Sequence, residues 1–314
     1  MTESLRTLMA GLIDYAGLFP PAKLAMPASV ETFARSMVGE HRWILGRFIC
    51  PVSRLREFSQ AAAVMLPGTF ATSGYREYAG GEPWRLSAII DGDLHADLDT
   101  IAAFNEHHER EDHGLCAVDA VELRVARPEQ IDSATEEISD DLLPFFEFPP
   151  EVVGAGDCRG FVAALAGHGA GAKIRTGGIV PEAFPSTRAV ATFIAACAGA
   201  GVPFKATAGL HHPLRAEYPL TYEPSCPRGT MHGFLNVFLA AALVYTHRLD
   251  AGRAAEILDI RDADQFRFTD EGVRWNGLFL EVAQIAKARE AFCLSYGSCS
   301  FDEPVADLQK LGLL

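Results

Sequence analysis

A closed (β/α)8 TIM barrel, an α/β fold, is what this sequence predicts, and three observations point to it. Eight short apolar runs alternate with amphipathic stretches along the chain, the mark of βαβ units and a parallel sheet. Each run is followed by a helical stretch of its own, which suits a closed barrel better than an open sheet. The 314 residues fall within the length that such barrels use as one unit.

Strands are expected at 12–19, 43–50, 86–91, 117–125, 144–148, 172–175, 203–207 and 292–296. Helices are expected at 29–38, 53–65, 94–108, 128–139, 158–167, 185–198, 232–247 and 303–313. The first strand has an alternative: DYAG at 14–17 also suits a loop, and a strand drawn from 266–275 would then complete the barrel. From about 210 to 290 the chain is longer than one loop and one helix require. That stretch includes FRFTDEGVRW, which reads as a hairpin turning at 270–272. It is expected to form an insertion over the catalytic face, before the last strand of a single domain covering 1–314. The paired His107 and His108 on a charged helix read as a solvated face.

Composition narrows the function. Hydrophobic residues make up 49% and charged residues 22%, a globular balance. A net charge of -14 argues against a broad basic face for nucleic acid, so an anionic substrate would need a local basic pocket. The seven cysteines contain no CxxC pair, which argues against a zinc ribbon or thioredoxin-like motif and suggests a reducing compartment. The start, MTESLRTLMAGLIDYAGLFPP, has no basic segment leading into an apolar run and does not read as a signal peptide. The longest apolar stretch, 234–245, is interrupted by Asn236 and falls short of the roughly 20 residues that span a bilayer; it reads as a buried helix. A cytoplasmic protein is expected, with a small-molecule substrate, no nucleic-acid or membrane partner, and room for a homo-oligomer.

The chemistry is read from the strand ends. Residues two apart on a barrel strand point the same way, and polar ones near the carboxyl end meet in one cavity. VELRV then offers Glu122 and Arg124, FFEFP offers Glu147, AKIRTGG offers Lys173 and Arg175, and PFKATAG offers Lys205 and Thr207. Any one of these equally reads as a buried pair that only supports the fold. Four consecutive strands aiming charge at one place read better as a site, because each buried charge costs several kcal/mol unless paired.

AKIRTGG, the helix after it and PFKATAGL resemble the consecutive lysine strands of class I aldolases of the deoxyribose-phosphate aldolase type. SYGSCSFDEPVADLQKLG is similar to that family's last strand, turn and closing helix, VDAVEL to its strand with an acidic catalytic residue, and FFEFP to its strand with a Glu. The likeness covers the chain from Ala117 onward in short motifs. It implies a carbon–carbon lyase with Schiff-base chemistry and no cofactor: Lys173 attacks a carbonyl, Lys205 lowers its pKa as a neighbouring like charge, and Glu122 shuttles protons. An amine is nucleophilic only when neutral, and a second cation in a partly dry pocket favours that form. The chain departs from the family in having Glu122 for Asp, Arg175 for a small hydroxyl residue, and LHHPLR after Gly209 in place of a Gly-rich turn. A guanidinium at 175 suggests a substrate carboxylate or phosphate.

Gly297, Ser298 and Ser300 precede a helix that Asp302 could cap, and their backbone amides could cradle an anion. Thr176, Gly177 and Gly178 could do the same on a neighbouring strand; both also read as ordinary connectors. His211 and His212 support a rival reading, a metal-dependent or acid–base isomerase or hydrolase. Adjacent side chains of extended chain point apart, however, and no HxH or HExxH spacing occurs, so no metal is expected and a single His suits acid–base work or substrate contact better. Asp14 and Tyr15 either reach the site or plug one barrel end. Cys299 has no evident base and is not expected to be a nucleophile. A third reading is a non-catalytic metabolite-binding barrel with the apolar helix at an oligomer interface.

Overall fold

The computed structural model describes residues 1–68 and 81–314. The strands are β1 (Ile13–Tyr15), β2 (Leu45–Pro51), β3 (Trp84–Ile89), β4 (Cys116–Arg124), β5 (Leu143–Glu147), β6 (Gly171–Arg175), β7 (Phe204–Thr207), β8 (Ala216–Pro219), β9 (Arg228–Met231), β10 (Arg267–Phe268), β11 (Gly272–Trp275), β12 (Leu278–Glu281) and β13 (Cys293–Ser298). The helices are α1 (Glu3–Met9), α2 (Met26–Val38), α3 (Leu55–Ala62), α4 (Leu94–His108), α5 (Glu129–Glu137), α6 (Pro150–Ala155), α7 (Arg159–Leu165), α8 (Thr187–Ala200), α9 (Phe234–His247), α10 (Ala251–Leu258), α11 (Val282–Ala291) and α12 (Asp302–Lys310).

Strands β1 to β7 and β13 pair in parallel, each with its neighbours, and β13 closes on β1. The (β/α)8 barrel expected from the alternation is the fold. All eight expected strands are present, the first reduced to three residues. The helices begin where polar caps allow: the Asp93 carboxylate accepts from Ala96 N at 3.2 Å before α4, and the Ser186 hydroxyl from Ala189 N at 3.2 Å before α8. Helix α8 stops at Gly201, whose φ of +68° favours glycine.

The stretch between β7 and β13 divides in two. The β8–β9 hairpin follows directly on His211 and His212, at the carboxyl end of β7. The FRFTDEGVRW hairpin turns between β10 and β11 as expected, and β12 joins it as a third strand. That small sheet does not cover the catalytic face. It lies beside α1, which enters β1 from its amino end: Ser4 N donates to Thr269 O at 3.3 Å and Glu3 N to Asp270 Oδ1 at 2.9 Å. Its position depends on α1, a short helix that apolar spacing alone had not marked.

Helix α9 is buried along 234–244, under α8, α10 and α11. Fold-internal packing therefore uses the surface that an oligomer contact would have needed. Among the described residues no helix is long and apolar enough to cross a membrane. His108 is also buried, not solvated, because its ring bridges two elements: Nδ1 lies 2.7 Å from Gly114 O and Nε2 2.8 Å from Ser59 Oγ.

Candidate active site

Parallel register brings the charges together. Glu147 is the β5 partner of Lys173, Lys173 is the β6 partner of Lys205, and Lys205 is the β7 partner of Ser295. These side chains form one layer inside the barrel, which Glu122 enters from β4 and Asp14 from β1. Glu122 is the centre of the network. Its Oε2 lies 2.6 Å from Lys173 Nζ, and its Oε1 accepts from Lys205 Nζ at 2.6 Å and from Ser87 Oγ at 2.7 Å.

Lys205 has no solvent exposure. Its Nζ donates to Asp14 Oδ2 at 2.7 Å as well as to Glu122, and it stands 5.2 Å from the centre of the Phe145 ring. Asp14 also accepts from Ser295 Oγ at 2.7 Å and from Arg47 N at 2.8 Å. That approach requires Gly46, where a Cβ would stand 2.5 Å from Asp14 Oδ1. Lys173 reaches Glu147 Oε2 at 2.6 Å, and Glu147 Oε1 faces Arg175 at 3.4 Å and Arg124 at 3.7 Å. The two ammonium groups and Arg175 thus balance three carboxylates, which allows so much charge in a dry barrel.

Burial disfavours the charged form of Glu122, but the two lysines outweigh it and hold the carboxyl far below the ordinary range. Burial is likewise outweighed at Asp14 by Lys205 and Arg47, and at Glu147 by Lys173 and Arg175, so both stay lowered. At Lys205 burial opposes the charge while Asp14 and Glu122 favour it more, and its pKa is raised. The expectation that Lys205 acts on Lys173 as a bare like charge needs correction for the resting site: Glu122 stands between the two ammonium groups and contacts both.

Above this network opens a cavity of about 440 Å³. Lys173, Glu122, Glu147, Arg124, Arg175, Thr207, Gly177, Gly178, Gly297 and His211 all line it, with Ala16, Phe19 and Pro20 from the loop after β1. Lys205 and Asp14 lie beneath it. The loop after β1 therefore does reach the site, and Asp14 is the residue that strand spacing did not single out. The fully buried Thr176 does not serve as an anion contact: its Oγ1 donates to Ala208 O at 2.6 Å and so fastens the β6 turn to the β7 turn. Gly209, at φ +75°, passes so close that a Cβ would sit 2.8 Å from the Gly177 Cα.

The turn after β13 is also self-satisfied. Ser298 Oγ donates to Ser300 O at 2.7 Å and Ser300 Oγ accepts from Glu303 N at 3.2 Å, so Ser300, not Asp302, caps α12. Glu303 adds a carboxylate beside the turn, which opposes an anion there. His211 and His212 part as extended chain requires: His211 Nδ1 lies 3.1 Å from Glu303 Oε2, whereas His212 Nδ1 lies 2.6 Å from Asp307 Oδ2. The His212 ring stacks on Tyr218 at 3.6 Å, away from its neighbour. Among the described residues no cluster of three His, Cys, Asp or Glu is placed to hold a metal. Burial pushes the Cys299 thiol up, which suits no nucleophile.

No family model matches the chain, and no curated protein is significantly similar to it.

Proposed function

We propose that this barrel is a carbon–carbon lyase or related carbonyl-processing enzyme in which Lys173 forms an imine with a small keto acid. The observation that carries the reading is the division of labour between the two amines. Lys173 lines the cavity with a carboxylate on each side, while Lys205 is sealed below it and shares Glu122 with it. The aldolase-like strand motifs favour the same assignment.

The first step needs a neutral amine, and the paired arginines supply a route to it. A substrate carboxylate that binds Arg175 and Arg124 draws both guanidinium groups away from Glu147. Glu147 is then freed of its two guanidinium neighbours and, 2.6 Å from Lys173 Nζ, can accept the Lys173 proton. The free amine adds to the substrate carbonyl, and loss of water leaves the imine. The anion site is therefore assigned to Arg124 and Arg175 and not to the two glycine turns.

Borohydride reduction in the presence of pyruvate, acetaldehyde or acetone tests this. Pyruvate should leave a stable mass adduct on Lys173, absent in Lys173→Met, and Arg175→Met should weaken pyruvate trapping more than acetone trapping. No adduct from any of the three probes would sink the reading. One observation favours a second reading, an acid–base isomerase without an imine: every nitrogen of the lysine pair already rests on carboxylates. That enzyme would exchange the methyl protons of pyruvate without ever being trapped.

A further inference from the structure

We propose that His211, held by Glu303, is the base that moves the proton at the carbon next to the Lys173 imine, and that Glu303 is its positioning residue. The inference rests on the imine reading and adds the residue that would turn imine into enamine.

Elimination within the cavity leads to it. The three carboxylates nearest Lys173 are committed: both oxygens of Glu122 and both of Glu147 contact cations, and Asp14 lies beneath Lys205. Asp14 and Glu122 keep lowered pKa values and are weak bases, and Glu147 already carries the proton given up by Lys173 when the imine forms. Arg124 and Arg175 hold their protons. The Cys299 thiol is pushed up by burial and rests 3.7 Å from Tyr222 OH. His211 lines the same cavity as Lys173, and its Nδ1 is taken by Glu303. Its Nε2 has no hydrogen-bond partner among the described residues and is not sealed from solvent.

The support behind the ring is built as for a working imidazole. Glu303 is anchored from α12, where its backbone N is capped by Ser300, and its Oε2 accepts a second hydrogen bond from Tyr222 OH at 3.2 Å. A carboxylate on Nδ1 favours the tautomer that leaves Nε2 as acceptor and holds the ring in place. In the step itself, Nε2 takes the proton from the carbon next to the iminium. The C–H electrons form the C=C bond, and the iminium π electrons settle on the Lys173 nitrogen as the enamine. Return of the proton from the imidazolium reverses the step, so no other reagent is consumed.

Pyruvate in D2O provides the test, with methyl-proton exchange followed by NMR and borohydride trapping run in parallel. His211→Asn keeps an amide donor for Glu303 but has no base; it should still be trapped on Lys173 while exchange falls by on the order of 100-fold or more. The charged groups around His211 are Glu303, Tyr222, His212 with its Asp307, and Cys299, together with the Lys173, Glu122, Glu147, Arg124 and Arg175 set across the cavity. Glu303→Gln should slow exchange less while leaving pyruvate trapping on Lys173 unaltered, and Glu303→Asp should recover part of the lost rate; a purely structural Glu303 would lower trapping and exchange together. Exchange at the unaltered rate in a trapped His211→Asn protein overturns the proposal, as does an unaltered protein that is trapped but never exchanges. A protein that traps nothing overturns the imine reading itself, and this one with it.

Discussion

Lys205 shows how much of the site is held by one side chain. It is fully buried, and it forms the ion pair with Asp14 while sharing Glu122. Lys205→Met keeps most of the volume and leaves two carboxylates with less compensation, so stability should fall by about 3–5 kcal/mol in urea unfolding. Adding Asp14→Asn to that variant should restore part of the loss, because one of the two under-compensated charges is then gone. A single variant within 1 kcal/mol of the parent would mean that the network is wetter than its geometry implies. The pair Lys173 and Lys205 was legible because four consecutive strands aim charged residues at one place, and buried charges are costly unless paired. For Asp14 the sequence left two roles open, because its partner Lys205 lies 191 residues away and the strand carrying it is too short to show a pattern.

At the level of elements, Asn236 interrupts the apolar helix α9 for a reason found in its neighbours. Its Nδ2 donates to Ile257 O at 2.8 Å and Ile260 O at 2.9 Å, and its Oδ1 accepts from Arg215 N at 3.0 Å. One amide thus ties α9 to the end of α10 and to the segment that follows His211 and His212. Asn236→Ala would orphan the Ile260 carbonyl and the Arg215 amide, each worth about 1–3 kcal/mol when buried, and would leave Ile257 O with only its backbone partner Ile260 N at 3.3 Å. The unfolding midpoint should drop well beyond that of an exposed substitution on α4, and an equal drop for both would refute the role. From sequence Asn236 only shortened a candidate membrane span. Its partners come from a loop and a helix end whose places no periodicity predicts.

Across the whole molecule, charge and burial set a pH window. Asp14, Glu122 and Glu147 have lowered pKa values in the fold, so the stability they add is present above the ordinary carboxylate range and lost as pH falls through their folded values. The raised pKa of Lys205 adds stability that is full below the ordinary lysine range and lost only as pH rises through its folded value. His232 brings the acid loss forward. Burial holds it at about 4 against an ordinary 6.5, so between those values the unfolded chain binds a proton that the fold refuses. Stability should decline from about pH 6.5 down to about pH 4, by roughly 3 kcal/mol from this one ring. Urea midpoints across that range should show the slope, and His232→Gln should flatten it whatever it does to the plateau.

The barrel itself, the strands that carry Glu122, Glu147, Lys173 and Lys205, and the burial of α9 were determined by the sequence alone. Alternation of apolar runs with amphipathic stretches, and polar residues two apart at strand ends, are local patterns that survive without knowing any neighbour. Tertiary structure alone decided that Asp14 closes the network, that Thr176 and the turn at 297–300 spend their polar groups on the backbone, and that the β10–β12 sheet lies beside α1. It also turned His211 toward Glu303 and His212 toward Asp307. Each of these depends on which distant residue arrives within hydrogen-bond distance, and that is set by barrel closure, not by spacing along the chain.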